Sequence, residues 1–179
     1  VHDMETVLEA AVRLKELSGL RFLFVGGGAK RDWGANMVEL YDLPNVVMLP
    51  YQPIEALPYS LTCGDISLVS LRRGMEGLSV PSKIYSSLAA GLAILAVAGP
   101  SSEIADVVEG YKCGIRVSQG DVDSFVEAVE RMYHHPNLIK EMKDRSRECF
   151  EKNYTRKISI DSYAQMLRAV VGHKGAKTR

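Results

Sequence analysis

Leu20-Arg21-Phe22-Leu23-Phe24-Val25-Gly26-Gly27-Gly28 is the stretch whose reading decides the fold. A short apolar run that ends on glycines, with helical patterns on both sides, reads as a buried strand of a parallel sheet. Upstream, Val7, Leu8, Ala11, Val12, Leu14 and Leu17 recur at helical spacing between Asp3 and Ser18, with Asp3 placed to cap and Gly19 to stop. Downstream, residues 30–41 form a second, less regular helical pattern, broken by Pro44-Asn45. The alternation then continues. Strands are expected at 46–49, 66–71, 93–98 and 114–118, and helices at 53–63, 82–90, 102–109 and 121–134. Beyond Pro136 the pattern is helical only, over 138–152 and 158–171.

Short, nearly all-apolar strands alternating with helices predict an α/β, Rossmann-like domain of three layers. Its parallel sheet should carry helices on both faces. A doubly wound sheet usually opens with a strand, whereas this sequence opens on a helix, so at least one strand is expected ahead of Val1. The expected division is a ligand-binding domain over 1–155, a C-terminal helix over 156–171, and a polar tail over 172–179, disordered from His173.

The chain has 179 residues, 46% hydrophobic and 25% charged, a size and balance that suit one globular domain. Its 22 basic and 22 acidic residues cancel, which gives no electrostatic case for nucleic acid as a partner. Cys63, Cys113 and Cys149 are odd in number and widely spaced, so they read as buried or half-buried thiols of a reducing compartment. His2, His134, His135 and His173 lack metal-ligand spacing, and no metal is expected. No apolar run approaches the ~20 residues of a membrane span, and the N-terminus has no signal-peptide pattern. The expected location is cytoplasmic.

In open α/β sheets, ligands bind beyond the carboxyl ends of the strands. That rule selects residues 26–30, 50–52, 72–83, 98–103 and 118–121. Gly26, Gly27 and Gly28 fail the dinucleotide fingerprint, because Arg31 stands where its last glycine belongs. They read either as a tight turn or as a glycine wall beside a sugar or phosphate. Residues 74–83 say more. Glu76 and two glycines lie between a strand and a helix that Pro81 or Ser82 opens, with Ser82 as the expected cap. Lys83 falls in the first turn, where a cation is unfavourable unless an anion accompanies it. The alternative is a surface lysine whose stem packs on the helix.

Taken in order, these features resemble the C-terminal domain of glycosyltransferase group 1, the retaining GT-B enzymes. The matching pieces are Phe24 to Gly28, Asn45-Val46 to Tyr51, Cys63 to Ile66, Glu76-Gly77-Leu78, Leu88 to Gly91, Glu103-Ile104 and Gly114. The loop Val80-Pro81-Ser82-Lys83 is similar to that of bacterial enzymes of cell-envelope polysaccharide synthesis.

The resemblance implies one half of a GT-B fold that binds a nucleotide-sugar donor, UDP-linked by analogy. It places the base at Tyr51 and Gln52. It places the diphosphate at Gly77, Leu78, Ser79, Val80 and Ser82, with Lys83, and adds Gly26, Gly27, Gly28 and Lys30 to the donor site. Ser86 stands where the family carries a ribose-binding glutamate. Glu76 corresponds to the glutamate that contacts the donor sugar and is the catalytic candidate. The family's basic diphosphate-binding pair falls near or before Val1. No metal or other cofactor is implied. The acceptor, a glycan or lipid-linked glycan, would be held by an N-terminal domain, with membrane contact peripheral and at the inner face. Helix 158–171 would cross to that domain through Ile158, Tyr163, Met166 and Leu167. This domain alone would bind donor without turning it over. Two alternatives are a GT-B nucleotide-sugar epimerase, for which no acid–base pair is visible, and a non-catalytic α/β nucleotide-binding or regulatory domain, for which clustered strand-end acids are missing.

Overall fold

The computed structural model describes residues 3–79 and 81–175, with side chains through Val171. Helix α1 (Met4–Arg13) starts where Asp3 caps it: Thr6 N–H and Thr6 Oγ1 both donate to the Asp3 carboxylate. It ends five residues before Ser18. The stretch to Gly19, whose φ is 83°, is a series of turns, yet Leu14 stays buried. The apolar stripe therefore outlasts the helix.

Strands β1 (Phe22–Val25) and β2 (Val46–Leu49) are parallel and flank α2 (Arg31–Leu40) in sequence. A 3-10 turn (Ile54–Ala56) and the short α3 (Leu57–Thr62) follow. Then come β3 (Ile66–Ser70), α4 (Lys83–Ala89), β4 (Ala93–Val97), α5 (Glu103–Gly110), β5 (Gly114–Val117) and α6 (Val122–His134). Pro136 both stops α6 and opens α7 (Pro136–Asn153), and α8 (Arg156–Gly175) closes the described chain. The polar tail beyond Gly175 lies outside the described residues. So does the placement of the side chains after Val171.

The single sheet expected from sequence is divided. β2-β1 forms one parallel pair and β3-β4-β5 a second parallel sheet. One apolar cluster joins them: Phe22 and Phe24 of β1 pack with Leu95 and Val97 of β4 beneath Val7, Ala10 and Leu14, and against Phe125 and Val129 of α6. On the other side, α4, α5 and Cys149 of α7 close over Val69, Ile94 and Ala96. All five residues of β4 are buried, as a doubly covered central strand requires. β1 and β2 depart from that expectation. Their Leu23, Val25, Val47 and Leu49 lie on one face and remain 37–42% exposed.

Cys113 and Cys149 are buried thiols, and burial pushes Cys149 up to about 11. Cys63, at the end of α3, is exposed, contrary to the expectation that all three are buried or half-buried. The short α3 has no buried residue and leaves its last turn in solvent. Among the described residues no helix is long and apolar enough to cross a membrane.

Candidate functional site

The carboxyl ends of β3, β4 and β5 converge on one carboxylate. Glu76 Oε2 accepts from Gly74 N–H at 2.7 Å, within the loop after β3. Glu76 Oε1 accepts from Gln119 Nε2 at 3.0 Å, in the loop after β5. After β4 the chain comes so close that a Cβ on Gly99 would lie 2.8 Å from Glu76 Oε1. Glycine at position 99 is thus a condition for this placement of Glu76. Its own backbone amide, the Gln119 amide, Gly74 N–H and the Arg73 charge together hold the Glu76 carboxyl below the usual carboxylate range.

Beside this carboxylate lies a cavity of about 380 Å³, lined by Lys30, Arg72, Arg73, Gln119 and Gly120 together with Glu5 and Glu9 of α1. Arg73 donates to the Gln119 carbonyl at 3.3 Å. Gly120 N–H donates to Thr6 Oγ1 at 3.0 Å, which ties the start of α1 to the end of β5. Lys30 is paired with Glu5 at 2.5 Å, and that hydrogen bond is the main reason the Glu5 carboxyl is held low. Lys30 is therefore shared with an acid. Arg72 lines the same cavity and forms no ion pair with a described residue.

The glycine turn and the expected base site do come together. Tyr51 is 78% exposed, and its ring lies over Gly26 and Gly27. A Cβ at position 27 would meet the ring at 2.9 Å. Gly26 and Gly28 have φ of 120° and 142°, which favour glycine. Gln52 turns back on its own loop, donating to the Pro50 carbonyl at 3.0 Å.

The loop before α4 is open. Leu78 is 78% exposed, Gly77 has φ 74°, and Leu78 and Ser79 N–H both donate to the Met75 carbonyl. Val80 lies outside the described residues. Ser82 occupies the N-cap position, but its side chain makes no capping bond, contrary to the expectation. Its φ and ψ of −58° and −19° are helical, whereas a capping serine is extended. Lys83 is exposed, and partial desolvation by the surrounding chain pushes its ammonium below the usual lysine range. Its ammonium makes no hydrogen bond or ion pair to a described residue, so the anion that would justify a cation here is not supplied by those residues. Ser86 Oγ donates to the Lys83 carbonyl at 2.9 Å and borders an apolar groove with Leu57, Leu61 and Ala90.

Three of the strand-end segments, 72–83, 98–103 and 118–121, meet around Glu76, but Gly99, Gln119, Arg72 and Arg73 are not singled out by the sequence reading. The signal for the two arginines was present, since they directly follow β3. Nothing in the sequence linked Gln119 to Glu76, 43 positions away. Among the described residues no cluster of three metal-binding side chains occurs.

A parallel α/β sheet whose strand ends meet around Glu76, beside a crevice lined by both cations and carboxylates, belongs to the doubly wound class. Comparison with known proteins specifies it further. Residues 2–149 match the model of glycosyl transferases group 1, and the chain belongs to that family. It is 26% identical over 171 residues to the probable glycosyltransferase WbjE of Pseudomonas aeruginosa, covering 96% of this chain and 42% of that protein. It is 29% identical over 147 residues to the putative colanic acid biosynthesis glycosyl transferase WcaI of Escherichia coli K12, covering 80% and 36%. The chain thus spans about two fifths of the length of the curated relatives it matches. Among solved structures, TarM of S. aureus, crystallised with UDP, superposes with a TM-score of 0.73 at 17% identity, over 90% of this chain and 32% of that one. The shared fold is the Rossmann-like half of the GT-B architecture.

Proposed function

We propose that this domain binds the donor of a glycosyltransferase that moves a sugar from a nucleoside diphosphate sugar, UDP-linked, onto a glycan acceptor in cell-envelope polysaccharide synthesis. One observation carries the reading: the Glu76 carboxylate is held at three strand ends, next to a crevice that Arg72 and Arg73 line together with the acids Asp3, Glu5 and Glu9 of the α1 end. Sugar transfer builds positive charge on the ring and negative charge on the departing diphosphate. A fixed carboxylate favours the first and cations favour the second. The anomeric C–O bond to the phosphate breaks, and its electron pair leaves with the nucleoside diphosphate. The acceptor hydroxyl oxygen makes the new bond and its proton passes to the leaving phosphate.

In this reading the chain's residues divide the work. Tyr51, over the glycine turn, offers a flat exposed face for the base, beside Gln52. Lys83 and the loop from Gly77 to Ser82, together with Arg72 and Arg73, receive the diphosphate. Ser86 offers the ribose a hydroxyl in place of a carboxylate. Glu76 faces the transferred sugar. The acceptor and the protein's membrane contact belong to parts beyond this domain. The names of WbjE and WcaI support the transferase role, and the UDP in the TarM crystals supports the donor class.

Calorimetric titration with UDP, GDP and ADP tests the proposal. The expected result is saturable binding of UDP, weakened about tenfold or more by Lys83→Ala, in line with the ~1.5–3 kcal/mol of a charge-assisted hydrogen bond. Failure of every nucleotide to bind, by this domain and by the full-length protein, would end the donor-site reading.

A further inference from the structure

Gln119 is 8% exposed, and both protons of its side-chain amide are committed. Nε2 donates to the Leu71 carbonyl at 2.9 Å and to Glu76 Oε1 at 3.0 Å. This fixes which way the amide points. Turning it over would set Oε1 against two acceptors, the Leu71 carbonyl and the carboxylate, and leave neither with a donor. The backbone of Gln119 is held as well, because its carbonyl accepts from Arg73. The residue therefore spans β5 to the end of β3, with Glu76 on its remaining N–H. Gly99 leaves the space that the carboxylate fills.

Few side chains can replace this one. Asparagine is one methylene short of spanning the same gap. Glutamate would oppose one carboxylate with another. Leucine or methionine fills the volume but leaves the Leu71 carbonyl and Glu76 Oε1 without their donor. The requirement is thus for a donor of one length in one orientation, which is more than a packing role demands.

We propose that Gln119 is the positioning residue of the site: it sets the orientation of the Glu76 carboxylate and, through it, which hydroxyl pattern of the donor sugar is accepted. Gln119 does not itself touch the sugar. The part concerning the sugar rests on the reading of Glu76 given above, and the part concerning Glu76 does not.

The test therefore has two arms. In the first, the full chain labelled with 13C at glutamate side-chain carboxyls is titrated by NMR, with the Glu76 signal assigned by its loss in Glu76→Gln. In Gln119→Met the Glu76 midpoint should move up toward that of an ordinary glutamate. A midpoint that stays in place, in a variant that melts as the wild type does, overturns the proposal. Should Gln119→Met not fold, Gln119→Glu decides the same point, because a like charge must raise the midpoint further.

In the second arm, affinities for UDP-glucose and UDP are compared as a ratio. Gln119→Met should lower that ratio roughly tenfold while UDP affinity stays within about twofold. A ratio unchanged beside a raised midpoint removes the specificity role. Wild-type protein that binds none of UDP-glucose, UDP-galactose and UDP-N-acetylglucosamine better than UDP contradicts the reading of Glu76, and the NMR titration then still decides the role of Gln119 on the carboxylate.

Discussion

Lys83 shows how one residue can be under-supplied by its own protein. Desolvation lowers its affinity for a proton, and no described residue offers a compensating negative charge. The sign of the pH dependence follows. A lysine whose folded-state pKa is depressed binds fewer protons folded than unfolded, so its share of ligand-free stability rises with pH through that window. Anion affinity runs the other way, since only the ammonium attracts phosphate. As pH rises through the lowered range in which the Lys83 ammonium loses its proton, the ratio of wild-type to Lys83→Met affinity for UDP should shrink, and calorimetry at several pH values reads it directly. A constant ratio would mean that Lys83 does not face the nucleotide. At this scale the sequence was only partly legible. Lys83 was singled out because a cation at a helix start needs a reason. Gln119 was missed because its reason is a carboxylate that lies close only after folding.

At the scale of the element, two serines offered the same signal. Ser82 and Ser102 each directly precede a helical pattern, the position of a cap. Ser102 is extended, with φ −91° and ψ 149°, and its Oγ accepts from Ala105 N–H at 3.2 Å. Ser82 is already helical and caps nothing. Ser102→Ala should therefore cost about 1 kcal/mol in urea denaturation, and Ser82→Ala less than about 0.5 kcal/mol. Equal costs would contradict this difference. The backbone that separates the two cases is set by what precedes each serine, a turn through Gly99 in one and the open loop after Gly77 in the other. Local residue identity does not encode that. Strand positions fared better, because a run such as Ala93 to Val97 carries its burial in its composition.

Across the whole molecule the stability should be uneven. β3-β4-β5 is covered on both sides, while β1-β2 keeps Leu23, Val25, Val47 and Leu49 half-exposed on one face. Amide hydrogen exchange should protect β4 most and β1-β2 least, since regions with fewer buried contacts open at lower free energy. Equal protection in all five strands would show that the two sheets open as one unit. The parallel, helix-flanked class was readable from the alternation of patterns. The division into two sheets was not, because strand pairing joins residues far apart in sequence. Helix α8 stands apart from both sheets: of residues 156–171 none is buried, and only Ile158 and Ala164 are half-buried. At ~1.5 Å rise per residue, its 20 residues reach about 30 Å. Geometrically it is a lever arm rooted at Tyr154: any tilt of roughly 10° there would carry its tip about 5 Å.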